Sequence, residues 1–70
     1  MKKFIKVFEY VNKENTPVFI NVDKIVEVFY SNGSNIILVA FDDYNKRLSV
    51  IEENIKALSE IGIDIQSIIK

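Results

Sequence analysis

The chain has 70 residues, 49% of them hydrophobic, and a formal net charge of −1 from nine Lys and Arg against ten Asp and Glu. This length predicts one domain with a small core, since such a chain buries only about 60% of the surface that its unfolded form exposes. The sequence contains no Cys and no His, which excludes disulfides, a thiolate nucleophile, a Cys/His zinc site and an imidazole base.

The nearly balanced charge gives no overall attraction to nucleic acid or to an anionic membrane, so only local patches of charge could act. Met1-Lys2-Lys3 has the basic character of a signal-peptide start, but Lys6 and Glu9 interrupt the apolar segment that would have to follow. No apolar run approaches the roughly 20 residues of a membrane-spanning helix. We therefore expect a cytoplasmic protein with no membrane partner.

The N-terminal residues predict two strands. Residues 3–11 alternate between an aliphatic and an aromatic set, as expected for a strand whose side chains point to opposite faces in turn. The two sets are Ile5, Val7 and Val11 on one face, and Phe4, Phe8 and Tyr10 on the other. The polar residues 12–16 predict a turn, and Pro17, which cannot donate to a ladder, predicts that a second strand begins beside it and runs over 18–21.

The middle of the chain predicts two more strands. Asp23 suits a tight turn or a single 3₁₀ turn, because its carboxylate can bond a nearby backbone amide, and residues 25–30 then form strand three. Asn32-Gly33 predicts a type I′ hairpin turn, since both residues accept a positive φ. The continuously apolar residues 35–41 predict a central fourth strand covered on both faces, although a buried helix has the same pattern.

The C-terminal third predicts a short fifth strand over 46–49 and then a helix. Ser49 and Glu52 have the spacing of a capping box, which predicts that the helix begins between them. Gly62 predicts the left-handed residue at which the helix stops. Asp64 is then expected to cap a short helical element, and an edge strand formed by Ile63 and Ile65 is the alternative.

Together these elements predict an α+β fold in a single domain, 1–70. Its sheet covers about residues 3–49 and is an antiparallel meander of four to five strands, either open or curled toward a barrel. The C-terminal helix covers about 50–61, and the short tail element covers 64–70. No internal repeat or low-complexity segment divides the chain.

The aromatic residues are the best candidates for a functional surface. The apolar share is high for so small an interior, and the two faces of strand one cannot both point into one core. Contiguous exposed apolar patches usually mark interfaces. The candidate interface residues are Phe4, Phe8, Tyr10, Phe19 and Phe29. The alternative is that the helix and tail cover one face of the sheet while a curled sheet buries the other.

The sequence offers little for catalysis or metal binding. Asp42 and Asp43 are adjacent carboxylates, but a solvated turn explains them better than a calcium or magnesium site, which needs more oxygen ligands. Glu52 and Glu53 are explained by the helix macrodipole. No Ser lies in a nucleophile motif, and no glycine-rich phosphate loop is present. We therefore expect no enzyme, no cofactor and no metal.

A basic patch with aromatic side chains is the alternative functional surface. If the first and last strands approach each other, their cations could surround Phe4, Phe8 or Tyr44, whose rings could stack on nucleic-acid bases. The candidate contacts are Lys2, Lys3, Lys6, Lys46 and Arg47. Solvated strand edges explain the same lysines, because charged edges discourage aggregation.

Phe19 to Leu38, FINVDKIVEVFYSNGSNIIL, resembles a pattern of strand, aspartate turn, strand, turn and strand in small FlbD-type flagellar proteins and in the first half of LytTR-type DNA-binding domains. The stretch Leu48 to Ile55 is similar to the strand-to-helix passage of the FlbD-type proteins. The FlbD-type resemblance implies an accessory protein that acts through other proteins. The basic stretch with which LytTR-type domains read DNA has no counterpart here, so no functional residue carries over.

The sequence therefore predicts a non-enzymatic protein–protein interaction or accessory module that self-associates through an aromatic strand face. A nucleic-acid-binding regulator is the alternative. Binding of a small ligand in a groove between sheet and helix is a third class. The richness in Ile, Lys and Asn is typical of an AT-rich coding sequence, which suggests a bacterial or phage origin.

Overall fold

The computed structural model describes residues 3–69, which form one antiparallel sheet followed by a helix and a short 3₁₀ turn. The elements are β1 (Phe4–Val11), β2 (Glu14–Asn21), a first 3₁₀ turn (Val22–Lys24), β3 (Glu27–Ser31), β4 (Ile36–Ala40), β5 (Asn45–Ser49), α1 (Glu52–Glu60) and a second 3₁₀ turn (Ile65–Ser67). The predicted α+β class is confirmed. The predictions for Met1, Lys2 and Lys70 concern residues outside this range.

The strand order is β2-β1-β5-β4-β3, and all neighbouring pairs are antiparallel. The last strand in sequence is therefore the central strand of the sheet, between β1 and β4. β2 and β3 are the two edges, so the sheet is open and does not close into a barrel. The β1–β5 contact is short, with Glu9 opposite Leu48 as its paired position.

The β1–β2 hairpin is tighter than the sequence predicted. Its turn consists of Asn12 and Lys13, both in the left-handed region with φ of 52° and 65°, and Val11 pairs directly with Glu14. A two-residue turn with two positive φ values matches the right-handed twist of the strands that it joins. The polar residues 14–16 therefore belong to β2, and the prediction that this strand begins at residue 18 was wrong.

The next two turns also depend on asparagine. The predicted 3₁₀ turn at Asp23 is confirmed, but the side chain that caps it is Asn21, whose Oδ1 accepts the Asp23 N–H at 3.0 Å. The predicted type I′ turn at Asn32-Gly33 was wrong. The loop spans residues 32–35, and its left-handed residue is Asn35, with φ of 53°. The Asn35 Oδ1 accepts a hydrogen bond from the Tyr30 hydroxyl at 2.9 Å, which holds the longer loop in place.

The predicted capping box at the start of the helix was wrong as well. Ser49 is the last residue of β5, and its hydroxyl donates to the side chain of Asn15. The helix begins at Glu52, and Ile51 at the N-cap position provides no side-chain bond. At the other end, Gly62 has the predicted left-handed conformation, with φ of 88°.

The tail is helical, as predicted, and not an edge strand. Its 3₁₀ turn spans Ile65–Ser67, and the Ser67 hydroxyl donates to the Asp64 carbonyl at 2.9 Å. The Asp64 carboxylate itself makes no cap bond, so the expected cap at this residue was wrong. The turn serves to place Ile65 in the core, where its side chain is fully buried.

One face of the sheet, which we call the inner face, forms the core with α1 and the tail. Its side chains follow from the strand alternation, because the paired residues Val7 and Val18, Ile5 and Ile20, and Ile37 and Leu48 point the same way. Leu58 from α1 and Ile65 from the tail complete the cluster. The fully buried apolar side chains are Val7, Ile37, Val39, Leu48, Leu58 and Ile65.

Candidate interaction surface

The opposite face of the sheet, which we call the outer face, carries all five predicted interface residues. Phe4, Phe8 and Tyr10 alternate with the buried Ile5 and Val7 along β1. Phe19 on β2 is opposite Lys6, and Phe29 on β3 is opposite Leu38. The exposed fractions are 53% for Phe4, 42% for Tyr10, 71% for Phe19 and 41% for Phe29. Phe8 is partly buried.

The aromatic residues of the outer face form two groups and not one. Phe4, Phe8, Tyr10 and Phe19 lie together on β1 and β2, with Pro17 opposite Phe8. Phe29 lies three strands away from β1, on the far edge, a distance of about 14 Å at the usual strand spacing. Arg47 on β5 and Leu38 on β4, which are paired, lie between the two groups.

The large rings of the outer face are exposed because, within residues 3–69, α1 and the tail pack on the other face of the sheet. The helix and the tail contribute Leu58 and Ile65 to the cluster that contains Val7 and Leu48, so both pack on the inner face. Residues 14–31 and 36–49 supply only strands and short turns. The large rings on the outer face are therefore left to solvent or to a partner, and the expectation that a curled sheet buries them does not match their exposure.

The predicted cations do not form one patch. Lys6 and Arg47 are exposed on the outer face, and the Lys6 Nζ lies 5.4 Å from the centre of the Phe8 ring. Lys46 follows the alternation of Leu48 to the other face, where its Nζ lies 3.4 Å from the Glu9 Oε1. Lys3 is exposed at the start of β1, and Lys2 lies outside the described residues. Two of the five predicted contacts therefore share the aromatic face.

The sequence prediction missed Asn54, the buried polar residue of the core. Its Oδ1 accepts the Phe8 N–H at 2.7 Å, and its Nδ2 donates to the carbonyls of Phe8 at 2.9 Å and Ser49 at 2.8 Å. Phe8 and Ser49 are the next pair in the β1–β5 register after Glu9 and Leu48. The Asn54 amide thus stands where the Phe8 N–H would otherwise bond the Ser49 carbonyl.

This amide joins the helix to both strands at the point where β1 and β5 separate. Within residues 3–69, no buried side-chain nitrogen or oxygen lacks a hydrogen-bond partner, so the polar group is fully satisfied. A signal for it exists in the sequence, because Asn54 is three residues after Ile51 and four before Leu58, on the apolar stripe of the helix. A polar residue in that position indicates a buried hydrogen-bonding role.

Other features of the surface offer less chemistry. The part of the chain that the structure describes contains no group of three or more Asp or Glu residues that could hold a metal ion. Tyr44 stacks on Phe41 at 4.8 Å between ring centres, which orders the turn that contains Asp42 and Asp43. A shallow groove lies between α1 and the tail, bordered by Lys56 and Asp64. No helix within residues 3–69 has the length and apolar character needed to cross a membrane.

Comparisons with protein-family models, curated proteins and solved structures find no match for this chain. The resemblance to FlbD-type and LytTR-type proteins therefore stays a prediction. The features that bear on function are the exposed rings and charges of the outer face and the two edges of the sheet.

Proposed function

We propose that this protein is a non-enzymatic interaction module that self-associates through the outer face of its sheet. The observation that carries the proposal is the exposure of four large aromatic side chains on one face: Phe4, Tyr10, Phe19 and Phe29. Aromatic residues are enriched at protein interfaces and supply most of the energy of many of them. Burying the exposed rings against a partner would remove them from water at about 25 cal/mol per Å².

The charges on the outer face favour a second copy as the partner. Lys6 and Arg47 lie on β1 and β5, and Glu27 lies at the end of β3, on the same face as Phe29. A face that carries both signs in different places can be complementary to itself when two copies meet about a two-fold axis. The net charge of −1 gives two copies little mutual repulsion.

Sedimentation velocity over a range of micromolar concentrations tests the proposal. We expect the unmodified protein to form a dimer or a larger species, and the double variant Phe4→Ser/Phe19→Ser to associate more weakly, with a lower weight-average mass at each concentration, because it lacks two of the exposed rings. Tyr44→Ser is the matched control, because Tyr44 is 56% exposed but lies in the β4–β5 turn. A strict monomer at every concentration, or equal loss of association in the control, contradicts the proposal.

Nucleic-acid binding is the second candidate, favoured by the composition of the β1–β2 part of the outer face. Phe4, Phe8, Tyr10 and Phe19 lie there with Lys6, and Arg47 lies on the neighbouring strand β5. The outward-facing residues of β1, β2 and β5 include no Asp or Glu. Exposed rings flanked by cations are suited to stacking single-stranded bases and contacting phosphates.

Fluorescence anisotropy with single-stranded DNA and RNA at low salt tests this second candidate. We expect salt-sensitive binding that is lost in Arg47→Glu and in Lys6→Glu, because each reversal adds a negative charge beside the rings. Lys46→Glu is the control, since Lys46 lies on the other side of the sheet beside Glu9. Absence of binding, or binding that is equally sensitive to Lys46→Glu, rejects the candidate.

A further inference from the structure

The two edges of the sheet differ in how they expose backbone hydrogen-bonding groups. β2 and β3 each have one neighbour, so each presents one row of unpaired N–H and C=O groups along its free side. At each edge, the register shows which residues direct their backbone N–H and C=O groups away from the neighbouring strand. This is because hydrogen-bonded and non-hydrogen-bonded pairs alternate along an antiparallel ladder.

The β2 edge is interrupted by proline. The Val22 N–H donates to the Lys3 carbonyl at 2.7 Å, which fixes the even-numbered residues of β2 as those bonded to β1. The two-residue turn at Asn12 and Lys13 agrees with this alternation. Pro17 is odd-numbered, so its backbone lies on the free side of β2. It has no N–H to donate there, which prevents continuous pairing with another strand.

The β3 edge has no such interruption. The Phe41 N–H donates to the Tyr44 carbonyl at 2.7 Å, so the odd-numbered residues of β4 bond to β5 and its even-numbered residues face β3. The Ala40 carbonyl accepts the Val26 N–H at 2.8 Å, which confirms that this even-numbered residue of β4 faces β3. Val26 precedes β3 and does not follow the alternation within the strand. By the β3–β4 register, the N–H and C=O groups of Val28 and Tyr30 then point away from the sheet.

We infer that β3 is a strand-pairing edge that binds the β3 of a second copy in antiparallel orientation, about a two-fold axis at Phe29. This is the one antiparallel register in which all five residues of β3 lie opposite a residue of the partner's β3. Val28 then exchanges two hydrogen bonds with the partner's Tyr30, and Tyr30 with the partner's Val28. The free backbone groups of both strands are satisfied at once.

The side chains of β3 fit this register. Phe29 lies opposite the partner's Phe29 in a non-hydrogen-bonded pair, where side chains are closest and aromatic pairs are favourable. Glu27 lies opposite the partner's Ser31, so no like charges oppose each other. The pairing also joins the two outer faces into one surface, since Phe29 belongs to the outer face. It uses backbone groups of the edge and does not depend on packing between outer faces.

Single-cysteine variants test the register, and the chain contains no cysteine of its own. Opposed residues in a non-hydrogen-bonded pair have Cα atoms about 4.5 Å apart, a separation that permits a disulfide. We therefore expect Phe29→Cys to form covalent dimers under mild oxidation. Glu27→Cys alone and Ser31→Cys alone should not, because each residue is about 14 Å from its own copy, whereas a mixture of these two variants should link.

Circular dichroism of each variant establishes that it folds. Failure of a folded Phe29→Cys to link, or linking of Glu27→Cys to itself as efficiently as of Phe29→Cys, overturns the proposed register. Linking of each of the three variants to itself also overturns it, because a single register brings only residue 29 next to its own copy.

Hydrogen exchange on the unmodified protein provides a test without substitution. We expect the amides of Val28 and Tyr30 to become at least tenfold slower to exchange as the protein concentration rises, while those of Asn15 and Phe19 on the β2 edge stay unchanged. Association without slower exchange at Val28 and Tyr30 overturns the edge pairing and leaves the outer-face proposal standing. Slower exchange at both amides in Phe4→Ser/Phe19→Ser supports the edge pairing even where the outer-face proposal fails.

Discussion

The inner and outer faces of the sheet are built from the same five strands but differ in what covers them. In β1, the aliphatic side chain of Val7 is fully buried, while the aromatic side chain of Phe4, three residues away, is 53% exposed. Both faces are apolar, so hydrophobicity alone does not decide which is buried. The position of α1 decides it. The difference separates a face that stabilises the monomer from a face whose rings remain exposed.

The contrast is tested most strongly at Asn54, which holds the helix to the inner side of the β1–β5 contact. Asn54→Ala removes three hydrogen bonds and leaves the Phe8 N–H and the carbonyls of Phe8 and Ser49 without their partner. We expect the free energy of unfolding to fall by about 4 kcal/mol, since each buried unsatisfied group costs about 1–3 kcal/mol. Urea denaturation measures the loss. Asn45→Ala at an exposed position of β5 should change stability by less than about 0.5 kcal/mol, and a similar loss in both variants contradicts the role of the buried amide.

Leu48→Ala tests the packing of the inner face directly. Leu48 is fully buried on the central strand, opposite Ile37, and its truncation leaves a cavity in the middle of the core. We expect a loss of about 3 kcal/mol in the free energy of unfolding, within the usual range for buried Leu→Ala changes. A loss below about 1 kcal/mol in urea denaturation would show that this part of the core can collapse around the smaller residue.

Phe19→Ser tests the outer face in the same way and is the counterpart of Leu48→Ala. Phe19 is 71% exposed, so little packing is lost in the monomer, and we expect stability at low protein concentration to change by less than about 0.5 kcal/mol. The weight-average mass at high concentration should fall, because an exposed ring is removed from the proposed interface. A large loss of monomer stability with unchanged association would reverse the assignment of the two faces.

The smallest effect is expected for the ion pair between Lys46 and Glu9, whose side chains are 26% and 20% exposed and 3.4 Å apart. Glu9→Gln should lower the free energy of unfolding by at most about 1 kcal/mol, as is usual for pairs that water still reaches. The difference from the unmodified protein should shrink as salt is raised. If urea denaturation gives the same difference at low and high salt, the effect comes from packing and not from charge.

The fold was largely predictable from local patterns, and the errors occurred where two local signals competed. Period-two alternation located β1, and helical spacing located α1. The turn at Asn12 and Lys13 was missed because polar residues 14–16 look like loop, although on an edge strand they face solvent. The predicted capping box was wrong because Ser49 belongs to β5, where it pairs in the sheet. The free energy gained from strand pairing exceeds that of one helix cap.

The five interface candidates were predictable as a set because strand alternation assigns side chains to faces before any tertiary contact is known. Their division into two groups was not predictable, because it depends on the strand order, in which β5 and β4 separate Phe29 from β1. The basic patch was divided for a related reason. Lys46 and Arg47 are neighbours in sequence, and neighbours on a strand point to opposite faces.

The sequence by itself determined the α+β class, the presence of two apolar faces on one sheet and the lack of Cys and His chemistry, because composition and periodicity are local properties. Only the tertiary structure decided which face is covered, which strand is central and which two strands are the edges. Those choices depend on contacts between distant residues, such as Asn54 with Phe8, 46 positions apart. Within residues 3–69, α1 and the tail pack on one of the two apolar faces, and the other face carries the proposed interface.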